Sequence, residues 1–121
     1  MTKILIIDDE DLIRKMLRKV LEKNGYDVME ACDGSQGIKL FKEHVPDIVI
    51  TDLIMPEKEG LETIRELKKL NSDVRIIAIS GGGIADPKIY LTLAAKLGAV
   101  NTFFKPVDNE ILLSTIKEIL S

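Results

Sequence analysis

A doubly wound α/β fold, one parallel sheet with helices on both faces, follows from three observations. Five short apolar runs alternate with five segments of helical periodicity along the 121 residues. The connections between them are short, which favours right-handed crossovers between parallel strands. The apolar residues are overwhelmingly aliphatic, with 45% hydrophobic and only 4% aromatic residues, as expected for strands buried on both faces.

Residues 4–7 form the first apolar run, and from Leu12 the pattern changes. Leu12, Ile13, Met16, Leu17, Val20 and Leu21 recur at helical spacing until Asn24-Gly25 supplies a stop. Residues 26–31 read as the second strand, Asp33-Gly34 as a turn, and Ile38, Leu40 and Phe41 as part of a helix that ends before Pro46. Residues 47–51 form the third strand, followed by a helix lined by Leu61, Ile64, Leu67 and Leu70. Residues 74–79 form the fourth, and Asp86-Pro87 opens the next helix with a cap and a first-turn proline. Residues 100–104 form the fifth, and after Lys105-Pro106 a last helix carries Ile111, Leu112, Ile116, Ile119 and Leu120. Five βα units use up residues 1–121, so the expectation is one domain with no output domain.

Composition narrows the function. Twenty acidic against 17 basic residues give a net charge of -3, with no basic stripe interleaved with aromatics, which argues against direct nucleic-acid binding. Cys32 is the only cysteine, so neither an internal disulfide nor a cysteine metal cluster can form, and it is expected to pack as a small apolar residue. No apolar stretch approaches the roughly 20 residues that span a bilayer, and Met1-Thr2-Lys3 runs into a strand without a signal pattern; a cytoplasmic location is expected. His44, near the end of the second helix, reads as a surface histidine.

The chemistry gathers at the strand ends. In an open parallel sheet ligands bind beyond the carboxyl ends of the strands, and those ends carry Asp8-Asp9, Cys32-Asp33-Gly34, Asp52, Ser80-Gly81-Gly82-Gly83 and Lys105-Pro106. Two carboxylates about 4 Å apart repel by roughly 4 kcal/mol at an effective dielectric near 20, a strain relieved by a raised pKa or by a hard cation. Mg²⁺ suits such a site because it takes one or two carboxylates and completes its shell with water and phosphate oxygens. A hydroxyl and a lysine can hold phosphoryl oxygens, and a carboxylate can itself be the nucleophile. Asp52 is the proposed acceptor, with Ser80 and Lys105 as its helpers. The glycine triplet lacks a following Lys-Ser or Lys-Thr and is a flexible loop rather than a P-loop.

Asp8-Asp9, Asp52 within Asp52-Leu53-Ile54-Met55-Pro56, Gly60, Ser80, Gly98-Ala99 and Lys105-Pro106 together resemble a response-regulator receiver domain, of the stand-alone, chemotaxis-regulator-like kind, over essentially the full chain. The resemblance implies a flavodoxin-like (βα)5 sandwich with strand order 2-1-3-4-5. It implies that Asp52 accepts a phosphoryl group from a histidine kinase or histidine phosphotransfer protein. Mg²⁺, with Mn²⁺ as a substitute, would be held by Asp9, Asp52 and the main-chain carbonyl of Ile54, and by Asp8 through water. Ser80 and Lys105 would each bind a phosphoryl oxygen, and Lys105-Pro106 would be cis. Phosphorylation would then switch the binding of a downstream protein on the face built from the fourth helix, fifth strand and fifth helix.

One position departs from the family pattern. Thr102, four residues after Gly98, stands where the family usually has a switch aromatic; alternation puts Phe103 on the opposite face and Phe104 one pleat further on. A binding-only receiver, with phosphorylation-independent protein contacts, is therefore the alternative. An aspartyl phosphatase needs a second acid two residues after the nucleophile, where this chain has Ile54. A flavin protein is disfavoured because the acidic first loop would repel a cofactor phosphate.

Overall fold

The computed structural model describes residues 2–53, 60–81 and 87–121. In chain order the elements are β1 (Lys3–Ile7), α1 (Asp11–Lys23), β2 (Asp27–Ala31), α2 (Gly34–His44), β3 (Ile48–Asp52), α3 (Gly60–Leu70), β4 (Arg75–Ser80), α4 (Pro87–Leu97), β5 (Asn101–Phe104) and α5 (Asn109–Leu120). All strand pairs are parallel and the order is β2-β1-β3-β4-β5, as expected from the resemblance.

Both faces of the sheet are covered, and for that reason the strands read as continuous apolar runs rather than alternating ones. Ile4, Ile6, Val28, Ile48, Ile50, Ile77 and Ile79 pack with Leu17 and Leu21 of α1 and Leu112 and Ile116 of α5. Leu5, Ile7, Val49, Ile76 and Ala78 pack with Ile38 and Phe41 of α2, Ile64 and Leu67 of α3, and Leu91 and Ala94 of α4. Burying each such side chain contributes about 1.5–3 kcal/mol. The helices thus clamp β1 and β3 between two aliphatic layers and leave the ends of the strands, the carboxyl edge among them, open for polar groups.

Several helical details differ from the sequence reading. Leu12 and Met16 are 71% and 55% exposed and Arg14 is buried in their place, because α1 rests on the sheet through Leu17 and Leu21. Leu70 and Ile111 are likewise exposed. Asp33-Gly34 is not a free turn: Asp33 caps α2, its Oδ1 accepting the Gln36 N–H at 2.8 Å while Gln36 Oε1 accepts the Cys32 N–H at 2.7 Å. That reciprocal cap leaves the Cys32 side chain exposed, which corrects its assignment to the apolar interior. Val45, before Pro46, ends α2 in the left-handed region at φ 43°. Asp86 lies outside the described residues.

Candidate functional site

β1 and β3 are neighbours, so the order of the sheet delivers Asp8 and Asp52 to the same edge. Asp8 is buried and anchored at every polar atom. Its N–H donates to the Ala31 carbonyl at 3.1 Å, its Oδ1 accepts the Glu10 N–H at 2.9 Å, its Oδ2 lies 3.0 Å from Lys105 Nζ, and its carbonyl accepts from Arg14 Nη1 at 2.6 Å. Asp52 is buried as well, its carbonyl accepting from Thr51 Oγ1 at 3.0 Å and its Oδ2 lying 3.3 Å from Lys105 Nζ. Gly60 makes the floor possible: a Cβ there would stand 2.2 Å from the Asp52 carbonyl oxygen and 2.5 Å from Leu53 Cα, so only glycine lets α3 start this close to β3.

Lys105 follows β5 at the far edge of the sheet and crosses back over it, with its side chain only 12% exposed. Its ammonium touches three carboxylates at once: Asp8 at 3.0 Å, Glu10 at 3.0 Å and Asp52 at 3.3 Å. Burial alone pulls its pKa down, but Glu10, Asp52 and Asp8 outweigh burial and hold it above the ordinary lysine value, so it stays charged. Burial likewise pushes Asp8 up from the usual carboxylate value, against the lowering contributed by the Glu10 N–H and Lys105. The peptide bond from Lys105 to Pro106 is cis, as the resemblance implied.

Ser80 ends β4, next to β3, and is fully buried. Among the described residues its hydroxyl oxygen has no hydrogen-bond partner. A buried hydroxyl left unpaired costs about 1–3 kcal/mol, so this edge carries a donor in need of an acceptor. The main chain is zipped to the lysine: the Lys105 N–H donates to the Ser80 carbonyl at 3.0 Å, and a Cβ on Gly81 would meet Lys105 Cβ at 2.9 Å.

The structure therefore brings together Asp8, Asp52 and Lys105, with Ser80 on the adjoining strand. Asp9 stays outside this group and is exposed; among the described residues the carboxylates whose oxygens lie within 4.8 Å of one another are those of Asp8, Glu10 and Asp52. Glu10 received no role from the sequence. It sits at the N-cap position of α1 yet makes no side-chain capping bond, which leaves its carboxylate available to Lys105. Ile54, Gly82 and Gly83 lie outside the described residues. His44 is a surface residue, 3.8 Å from the neighbouring Glu43. Oxygen donors alone, converging around an ammonium that can yield its place, are the chemistry a hard divalent cation requires.

Thr102 and Phe104 line an open groove of about 550 Å³ with Lys88, Leu91, Thr92, Ala95 and Lys96, between α4 and β5. Phe103 turns to the other face, against the layer of α1 and α5, as alternation predicts. Thr102 pairs with Ala78 and Phe104 with Ser80, so the groove backs directly onto the strand that carries the unpaired hydroxyl. Among the described residues no helix is long and apolar enough to cross a membrane.

A (βα)5 sheet whose carboxyl edge gathers acids, a buried hydroxyl and a bridging lysine defines a signalling receiver. The chain belongs to the response regulator receiver domain family, whose pattern matches residues 4–117. It is 36% identical over 120 residues to the chemotaxis protein CheY of Bacillus subtilis (strain 168), covering 98% of both chains. It is 31% identical to sporulation initiation phosphotransferase F of the same organism, covering 98% of this chain and 93% of that one. The crystal structure of a response regulator receiver domain protein from Clostridium thermocellum superposes with a TM-score of 0.91 at 34% identity, covering 98% of this chain and 94% of that one. Receiver domains are the signalling modules of two-component systems rather than classical enzymes. They interact with histidine kinases, phosphotransfer proteins and downstream targets, and they bind Mg²⁺ at an acidic pocket.

Proposed function

We propose that Asp52 is the phosphoacceptor, taking a phosphoryl group from a histidine kinase or histidine phosphotransfer protein. One observation carries this: Lys105 Nζ stands 3.3 Å from Asp52 Oδ2 while the buried Ser80 hydroxyl on the adjoining strand waits without a partner. An Asp52 carboxylate oxygen attacks phosphorus as the bond from phosphorus to the donor imidazole breaks, and the electron pair leaves with the imidazole. The product is an acyl phosphate. Lys105 trades a carboxylate oxygen for a phosphoryl oxygen and Ser80 donates to another, each placed before the charge develops. Water later hydrolyses the acyl phosphate slowly, the only turnover assigned to the chain itself.

Asp8 and Asp52, with Asp9 turned in from its exposed position and the carbonyl of Ile54, would hold Mg²⁺, or Mn²⁺ in its place, and the ion when bound offsets the negative charge that phosphoryl oxygens bring to an already acidic pocket. Phosphorylation then draws Ser80 toward the acyl phosphate and changes the groove behind it, so the downstream protein is read on the face of α4, β5 and α5. The exchange would take place in the cytoplasm, and neither nucleic acid nor membrane is a proposed direct partner.

Acetyl phosphate with Mg²⁺ should label the chain once, and Asp52→Asn should not be labelled at all; full labelling of that variant would overturn the assignment. A binding-only receiver is the second reading, favoured by Thr102 where an aromatic would sense the phosphate. It requires partner binding that is the same before and after labelling.

A further inference from the structure

Arg14 is the charged residue that α1 buries, and the phosphoacceptor chemistry makes no use of it. Its guanidinium is committed on every side. Nη1 donates to the Asp8 carbonyl at 2.6 Å, Nε to Glu30 Oε1 at 3.1 Å, and Nη2 pairs with Asp11 in the first turn of α1. Glu30 lies on β2 and divides its carboxylate, giving Oε2 to Arg18 Nη1 at 2.7 Å, and Arg18 is braced in turn by Glu22 at 3.2 Å.

Burying a guanidinium is costly, and an apolar side chain of similar volume often stabilises a fold as well or better. What an apolar side chain cannot do is hold a carbonyl. The carbonyl in question belongs to the peptide joining Asp8 to Asp9, and fixing that peptide fixes the direction in which the first strand hands over its carboxylates. We propose that Arg14 is a positioning residue for the acidic pocket, acting through the main-chain carbonyl of Asp8, and that Glu30 anchors it there from β2. This rests on reading the pocket as a Mg²⁺-assisted phosphoacceptor site. A lysine in place of Arg14 keeps the charge but loses the planar fork that holds the Asp8 carbonyl and Glu30 together.

The test is calorimetric titration of the full chain with Mn²⁺, alongside melting in chelator and labelling by acetyl phosphate. R14K should bind Mn²⁺ about tenfold more weakly, the lower end of the effect that groups behind metal ligands usually have, and E30Q, which acts only through Arg14, about threefold more weakly. Labelling of both variants at saturating Mg²⁺ should return to within about twofold of the parent, since Asp52, Ser80 and Lys105 are untouched. A folded R14K with unchanged Mn²⁺ affinity would overturn the assignment. Should R14K fail to fold, unchanged affinity in E30Q, whose half-buried carboxylate is the easier one to replace, would do the same. Labelling that saturating Mg²⁺ does not restore would also overturn it, because Arg14 would then act elsewhere than on the metal loop. A parent chain that binds no Mn²⁺ would overturn the functional reading and this inference with it, whereas parental affinity in R14K would overturn this inference alone.

Discussion

The two sides of the pocket are built on opposite terms. Where β1 meets α1, every polar atom of Asp8 has a partner, and a buried arginine, itself anchored on β2, holds the carbonyl. Where β4 meets β5, Ser80 keeps a buried hydroxyl without a partner, and Thr102 leaves space in a groove of about 550 Å³. The contrast assigns work to each side. A saturated network has no cheap alternative arrangement and suits a cation site that must be ready in advance, whereas an unpaired donor gains free energy from any acceptor that arrives. On this view the first side is preorganised and the second responds.

The largest expected effect strikes the floor that both sides share. Gly60→Ala places a methyl group 2.2 Å from the Asp52 carbonyl oxygen, and because main-chain atoms must move, stability should fall by about 2–4 kcal/mol with labelling all but lost. Chemical denaturation and acetyl phosphate labelling read both. Parental values for that variant would show that α3 can back away freely and that the floor is not fixed.

Ser80→Ala should separate the sides. Labelling should slow about 10- to 100-fold, the equivalent of a hydrogen bond to a charged group, while stability in chelator stays level or rises by about 1 kcal/mol as an unpaired hydroxyl is removed. A variant that labels normally but unfolds more easily would mean that the hydroxyl serves the fold and not the phosphate.

Asp8→Asn probes the saturated side through pH. Because burial raises the Asp8 pKa above its unfolded value of 3.8, the native state disfavours the ionised form. Its contribution to stability is complete below pH 3.8 and is lost as pH rises through the raised native value. In chelator the asparagine variant should therefore melt higher than the parent at pH 7, and the gap should close on acidification toward that value. A lower melting temperature at pH 7 would show that pairing with Lys105 outweighs burial. In Mg²⁺ the order should reverse, since the parent alone keeps the carboxylate.

The smallest effect belongs to Thr102. Thr102→Ala should leave labelling and phosphorylation-dependent partner binding within about threefold, roughly 0.6 kcal/mol, if the groove is reshaped from Ser80 rather than sensed by this side chain. Loss of partner binding with intact labelling would make the threonine itself a relay.

The sequence by itself determined the five βα units and the set of groups at the strand ends, because aliphatic runs and helical periodicity are local and each strand end follows from its run. It also placed Phe103 on the far face, since alternation is a property of the strand alone. Tertiary structure decided which acids Lys105 meets. A separation of 95 residues lies between Glu10 and Lys105, and their contact exists only because β5 and the loop after β1 share one edge of the sheet. Within the acidic run Asp8-Asp9-Glu10 nothing local distinguishes Asp9 from Glu10, and the fold alone points Glu10 at Lys105. The same holds for Arg14: within one helix an arginine reads as solvated, and only the approach of β2 with Glu30, beneath an Asp8 carbonyl in need of a donor, makes burial favourable. Residue type alone puts Cys32 in the interior, whereas the cap of α2, in which Asp33 accepts the Gln36 N–H and Gln36 accepts the Cys32 N–H, goes with a side chain exposed to solvent. Periodicity says where the chain bends and which face is apolar; the partner of a polar group depends on elements far away in sequence.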